Sequence, residues 1–414
     1  MRTSNMSRRA GTLLAAFVVP ALIGTVVARR VSDGRPRKPA EAPLAAPADP
    51  ISTLEIRASS YPDDARAWQQ LAVAYSREAS RTQDAAFVGL AAKALGKSQT
   101  LAPTAPETQI AAGMVALGSH HFHEAETAAA SALAARPEDR SALAIAVDAA
   151  VELGRYDDAA RIVQRLADLR PDATALARIS YLRELHGDLS GALDAMKQAE
   201  QAASATPAEA KVLATLVGDL SLQTGDVDAA ETAYRRGNSA VGLARSEFAR
   251  GRVDAAITAL RPLGTPAAGR LLGSLTNGEG FDVVRASDRL LEAAGVRLEL
   301  ESALFEADHG TAERAVQLAR AAHDDRTTIF TADALAWSLH RAGRDAEAVP
   351  FVTEALRTNS RSVSLRLHAA IILQSGDQLR VAFEGYPWFA PELRADAAVL
   401  ATRLGVALPE AWRT

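Results

Sequence analysis

The 414-residue sequence has no cysteine. That excludes disulfides, a thiolate nucleophile, cysteine-ligated zinc and a lipoprotein anchor, and it fits any redox compartment. Aromatic residues are scarce, at 5%. No strand pattern of useful length occurs, and no G-x-S-x-G nucleophile elbow. Basic clusters are also lacking beyond the N-terminus. Residues 1–48 hold eight Lys/Arg against two Asp/Glu, so the rest carries 38 basic and 48 acidic groups. A body near −10 is a poor partner for a phosphate backbone, and nucleic acid is not expected.

What is present is alanine, the best helix former and small enough for helices to approach closely. With 48% apolar residues the chain must fold, and an all-helical architecture is expected.

Residues 11–28, "GTLLAAFVVPALIGTVVA", form an uncharged run between Arg8-Arg9 and Arg29-Arg30. As a helix this run spans about 27 Å, just short of a bilayer core of roughly 30 Å. It reads as a transmembrane anchor, with a signal peptide cut after Ala28 as the alternative. Residues 1–30 are assigned to this segment. Pro36, Pro39, Pro43, Pro47 and Pro50 make residues 31–49 a semi-extended linker. Asp49-Pro50 then opens a short helix near 50–61. Membrane attachment with an extracytoplasmic body is the expected localisation, and secretion after cleavage the alternative.

Beyond the linker, landmarks recur. Trp68, Leu71, Ala72 and Tyr75 spell W-x2-L-[GA]-x2-Y, and Pro103, Pro137 and Pro171 are evenly spaced. A turn glycine returns at Gly154, Gly187, Gly225, Gly251, Gly310, Gly343 and Gly376, with Gly280-Phe281-Asp282 the best candidate for a degenerate unit between. Glycine supplies a left-handed residue that ends one helix, and a following Asp caps or enters the next. The alanines after it (Ala159, Ala192, Ala230, Ala256, Ala315, Ala348) sit where paired helices cross. Two departures are expected: a longer inter-helix loop at 76–84 and a shortened unit between Gly225 and Gly251. Residues 264–295 are ambiguous.

The pattern resembles tetratricopeptide-repeat (TPR) proteins from about residue 63 to 390. The resemblance implies an all-α, right-handed superhelical α-solenoid of about nine or ten helix pairs over 50–390, with a capping helix and tail at 391–414. Each pair would be stabilised by stacking on its neighbours. It further implies a concave groove lined by the first helix of each pair. Projecting that frame gives Val73, Met114, Asp148, Tyr181, Asp219, Arg245, Leu304, Trp337 and His340 as inward-facing candidates. The set lacks the array with which some family members clamp a carboxylate tail, so that ligand is not carried over. Trp337 and Tyr181 are the favoured contact residues, since aromatics dominate hot spots.

Other constellations read as non-functional. "LGSHHFHEAE" (117–126) begins like H-E-x-x-H, but Thr127 stands where the second histidine is required. His120 falls on the turn position, and the cluster is expected to be solvated. A metal-binding or enzymatic protein built on His120, His123 and Glu124 is the alternative. Gly96-Lys97-Ser98 lacks the first P-loop glycine and follows a helix, so no phosphate cradle forms. The expectation is a non-catalytic scaffold for a protein or peptide partner, possessing no cofactor or small-molecule substrate and suited to assembling a cell-envelope complex. A cytoplasm-facing regulatory solenoid is a further alternative.

Overall fold

A computed structural model describes residues 50–203, 206–385 and 391–413. The membrane or signal segment and the linker, residues 1–49, lie outside them. No helix among the described residues is long and apolar enough to cross a membrane.

All regular structure among the described residues is helical. A short helix α1 (Pro50–Ser60) precedes ten consecutive pairs. These are α2 (Ala65–Thr82) with α3 (Ala85–Leu101), α4 (Pro106–Gly118) with α5 (Phe122–Ala135), and α6 (Arg140–Glu152) with α7 (Tyr156–Leu169). Next come α8 (Ala173–Leu185) with α9 (Leu189–Ala202), α10 (Pro207–Gln223) with α11 (Val227–Gly237), and α12 (Ala240–Ala249) with α13 (Val253–Leu260). The ambiguous stretch is a genuine pair, α14 (Pro266–Leu275) with α15 (Phe281–Ala293). The last three pairs are α16 (Glu299–His309) with α17 (Ala312–Asp325), α18 (Ile329–Arg341) with α19 (Asp345–Ala355), and α20 (Val363–Leu373) with α21 (Gly376–Glu384). A short 3-10 turn at Pro391–Leu393 leads into α22 (Arg394–Leu404).

The local chemistry follows the sequence. Asp188 and Asp226 accept backbone N–H bonds at the starts of α9 and α11. The six crossing alanines are fully buried, each at 0% exposure, so a methyl group is all the helix crossing tolerates. Five of the seven turn glycines have φ between +73° and +86°. Gly310, at φ −123°, does not, and at the end of α20 the left-handed residue is Gln374 rather than Gly376. Gly280, at φ +95°, opens the degenerate pair. The longer loop expected at 76–84 is absent: α2 runs on to Thr82, and Asp84 caps α3 directly.

The described chain divides into two compact units, residues 50–146 and residues 147–413, the boundary falling inside α6. In the first, Ala67, Leu71, Ala72 and Tyr75 of α2 form a core with Ala91 and Ala94 of α3. The Tyr75 hydroxyl donates to Glu55 of α1 at 2.6 Å, and the buried Gln69 amide donates to Thr108 of α4 at 2.9 Å.

The second unit departs from the expectation that each pair touches only its neighbours. Val147, Ala150, Tyr156, Leu182 and Leu185 share one apolar cluster with Ile329, Ala332, Ala355 and Leu365. The Ile329 N–H donates to the Tyr156 hydroxyl oxygen at 3.0 Å across 173 residues, and Arg326 pairs with Glu152 across 174. The Arg357 guanidinium lies 5.2 Å from the Tyr156 ring centre and donates to the carbonyls of Gly154 and Thr327. A Cβ on Gly154 would stand 2.2 Å from the Thr327 oxygen, and one on Gly187 2.6 Å from the Asn359 oxygen. The two glycines lie in the turns inside the consecutive pairs α6/α7 and α8/α9, and Thr327 and Asn359 precede the pairs α18/α19 and α20/α21. The edge formed by α6 to α9 is therefore laid, in register, on the edge of the pairs six further along. The neighbour-only stacking implied by the repeat does not hold in this unit, where two strips of chain distant in sequence bury apolar side chains on each other.

Candidate functional site

Four first helices of the second unit, α6, α8, α10 and α12, carry a linked row of polar side chains. Asp148 on α6 accepts two bonds from Arg178 on α8, at 2.6 and 2.8 Å. Glu184, one turn beyond Tyr181 on α8, accepts from the Gln223 amide of α10 at 2.8 Å. Asp219, one turn before Gln223, accepts from Arg245 of α12 at 2.8 Å and from the Tyr234 hydroxyl of α11 at 2.6 Å. Each first helix is thus tied to the next by one charged or amide contact. The i, i+3 and i, i+4 spacings of Tyr181–Glu184 and Asp219–Gln223 keep the row on one face.

Electrostatics differ along the row. Burial pushes the Asp148 and Asp219 carboxyls up, while the Arg178 and Arg245 charges beside them pull the other way. Glu184 has the Gln223 amide and no guanidinium, and burial, helped by the charge of Asp219, pushes it up to about 7. Burial raises the Tyr181 phenol well above its ordinary value, as do the nearby charges of Glu152 and Glu184, with Arg326 opposing.

A carboxyl whose folded pKa is raised holds its proton where the unfolded chain has lost it, so it costs stability as pH climbs from about 4.5 to about 7. Glu184→Gln keeps the shape and removes the charge. It is expected to raise the unfolding free energy at pH 8 by about 1–2 kcal/mol and to change little at pH 4. Urea titrations at the two pH values check this. An equal effect at both would show that the carboxyl titrates normally.

The nine sequence-derived candidates separate into three groups. Asp148, Tyr181, Asp219 and Arg245 belong to the row just described. Val73 is half-buried on α2. Met114, Leu304 and Trp337 are buried at 7%, 4% and 1% exposure and offer no face to a partner; within the row Arg178 at 4% and Asp219 at 5% are as buried, and serve as braces between helices. Trp337 stacks on His368 with ring centres 4.1 Å apart and planes 11° apart, and its indole N–H donates to Asp308 at 2.9 Å. His368, itself fully buried, holds both Asp333 carboxylate oxygens at 3.0 Å. This is a hydrogen-bonded aromatic plug joining α16, α18 and α20. His340 borders it, its Nδ1 2.6 Å from Asp345. Helical phase does not distinguish lining a groove from filling a contact between helices. Arg178, Glu184 and Gln223 were missed, though their helical spacing from named residues could have found them.

The histidine stretch forms no common centre. His120, at φ +60°, does take the turn position, but it is nearly buried and stacks on Phe122 at 5.6 Å, contrary to the solvated placement expected. His121 faces Glu124 at 3.6 Å, while the His123 carbonyl accepts from Thr127. No group of three or more His, Asp or Glu side chains among the described residues is placed to hold a metal ion. Gly96-Lys97-Ser98 lies inside α3, and Ser98 is buried against Thr108.

Two overlapping segments, residues 110–174 and 146–207, match the tetratricopeptide repeat family model. No curated protein matches the chain. Among solved structures, the crystal structure of the APC/C hetero-tetramer Cut9–Hcn1 is similar at TM-score 0.35 and 13% identity, over 86% of this chain and 92% of that one. The P58(IPK) TPR domain gives 0.27 and 13%, over 85% and 93%. Naa15/Naa10 bound to HypK-THB gives 0.26 and 15%, over 86% of this chain and 63% of that one. The family match over 110–207 falls on helix pairs with the glycine turns and buried crossing alanines described above, so residues 110–207 are tetratricopeptide repeats.

Proposed function

We propose that the chain is a non-catalytic scaffold that takes a protein or peptide segment along the first-helix row of α6, α8, α10 and α12. Its helix pairs would follow a right-handed superhelix, held at a membrane or exported by residues 1–30, in the assembly of a cell-envelope complex. The observation that carries the reading is the row itself. Asp148–Arg178, Glu184–Gln223 and Asp219–Arg245 brace successive helices with fixed donors and acceptors, and Tyr181 sits among them as a rigid aromatic. A preorganised polar face with an aromatic anchor is what a peptide backbone and one apolar side chain need, because few rotamers remain to be frozen on binding.

The test is capture of partners by the full chain from detergent-solubilised cells of its own source. Tyr181→Ala is compared with Val349→Ala, an exposed apolar position on α19 away from the row. The captured partner is expected to lose at least tenfold in affinity for Tyr181→Ala and none for Val349→Ala. Equal affinities would remove the row as the binding face. A reporter fused at the C-terminus reads the membrane side independently.

A further inference from the structure

The contact between the two edges of the second unit differs in kind from those between neighbouring pairs. Beside the Ile329–Tyr156 bond, its polar part includes two arginines from the loops between pairs: Arg326 reaches Glu152, and Arg357 reaches the Gly154 and Thr327 carbonyls and the Tyr156 ring. Gly154 and Gly187 present bare backbone to the opposing loops, and beside them Tyr156, Leu182 and Leu185 share an apolar cluster with Ile329, Ala332 and Leu365. Each edge also has its own support. α16 to α22 share a separate apolar cluster around Trp337, and α7 and α8 pack directly on each other. Parting the edges exposes the shared cluster but keeps the α16–α22 cluster and the packing of α7 on α8, a local opening rather than a global one. Tyr181, partly buried, packs against the shared apolar cluster of the contact.

We infer that this seam is a latch: Arg326 and Arg357, clasping Glu152, Gly154 and Tyr156, hold the edge of α6–α9 against α18–α20 and wall off Tyr181, and the unit releases them without unfolding. The inference uses the scaffold reading only to give the exposed Tyr181 a purpose, and its test needs no partner, so the two can fail separately. With the latch shut, the inner row is screened at its α6–α8 end. With it open, the Tyr181 ring and the Glu152 carboxylate become available together.

The experiment compares the full chain with the double variant Glu152→Gln, Arg357→Gln. Tetranitromethane labels accessible tyrosines, and Tyr61, 66% exposed in the other unit, serves as internal reference. Relative to Tyr61, nitration of Tyr181 is expected to rise at least tenfold in the double variant. Amide exchange should quicken only at residues 150–157, 185–188, 326–330 and 355–362. The charge exchange Glu152→Arg with Arg326→Glu is expected to restore both readings. Should the double variant fail to fold, exchange of the unaltered protein in 1 M KCl replaces it, and the same four segments should lose protection there. Unchanged labelling and exchange would overturn the latch. So would loss of protection across all of residues 147–413 at once, since the seam would then be part of an indivisible core.

Discussion

Gly154→Ala is expected to destabilise the second unit by about 3–5 kcal/mol, whereas Gly343→Ala, the same change in the same kind of turn, costs about 1–2 kcal/mol. Both glycines are left-handed, at φ +76° and +73°, so both variants carry the penalty of about 1–2 kcal/mol for a Cβ in that conformation. They differ in what the new methyl meets. Nothing lies within 4 Å of a Cβ at Gly343, while at Gly154 the Thr327 carbonyl oxygen and carbon lie at 2.2 and 2.7 Å. Backbone cannot swing aside as a side chain does, so the two edges must part. The excess of the first cost over the second then approaches the seam's own strength, as core overpacking costs typically run to 1–3 kcal/mol. Urea unfolding of the two variants measures it. Equal costs would mean that Gly154 faces open space.

The second large effect is at Trp337. Trp337→Ala is expected to cost about 4 kcal/mol, the range for emptying a buried indole site. Trp337→Phe should cost about half as much, because it keeps a ring against His368 but loses the hydrogen bond to Asp308. Chemical denaturation with fluorescence of the remaining tryptophans reads both. A cost below about 1 kcal/mol for the alanine variant would mean that Trp337 is not the plug between α16, α18 and α20. It would also return the residue to the list of partner contacts, from which its 1% exposure removes it.

The helix pairs were legible in the sequence because their determinants are local. Gly280 before Phe281, Ala348 five residues after Gly343, and Asp226 before α11 each act within one turn, and each is where a short-range pattern put it. His120 shows the limit of that logic. The frame placed it on the turn, but polarity suggested solvent, and stacking on Phe122 decided otherwise. The candidate row was half legible. Helical phase found Tyr181 and Asp219, yet phase alone cannot separate a side chain that lines a face from one, like Trp337, that fills the next contact. The seam left no trace in the sequence. Gly154 and Gly343 look alike as letters, and what distinguishes them is a carbonyl 173 residues away, at no spacing that a repeat period announces.

The in-register seam is most directly tested by distance. Because the chain has no cysteine, Asp157→Cys and Thr353→Cys introduce two spin-labelling sites and no others, both exposed and flanking the seam. If α7 and α19 lie on facing edges, pulsed dipolar spectroscopy should give one narrow distribution below about 25 Å, roughly two helix diameters. If pairs touch only their neighbours, the same labels are separated by six pairs at about 10 Å per helix contact. A broad distribution centred beyond about 45 Å would then contradict the account.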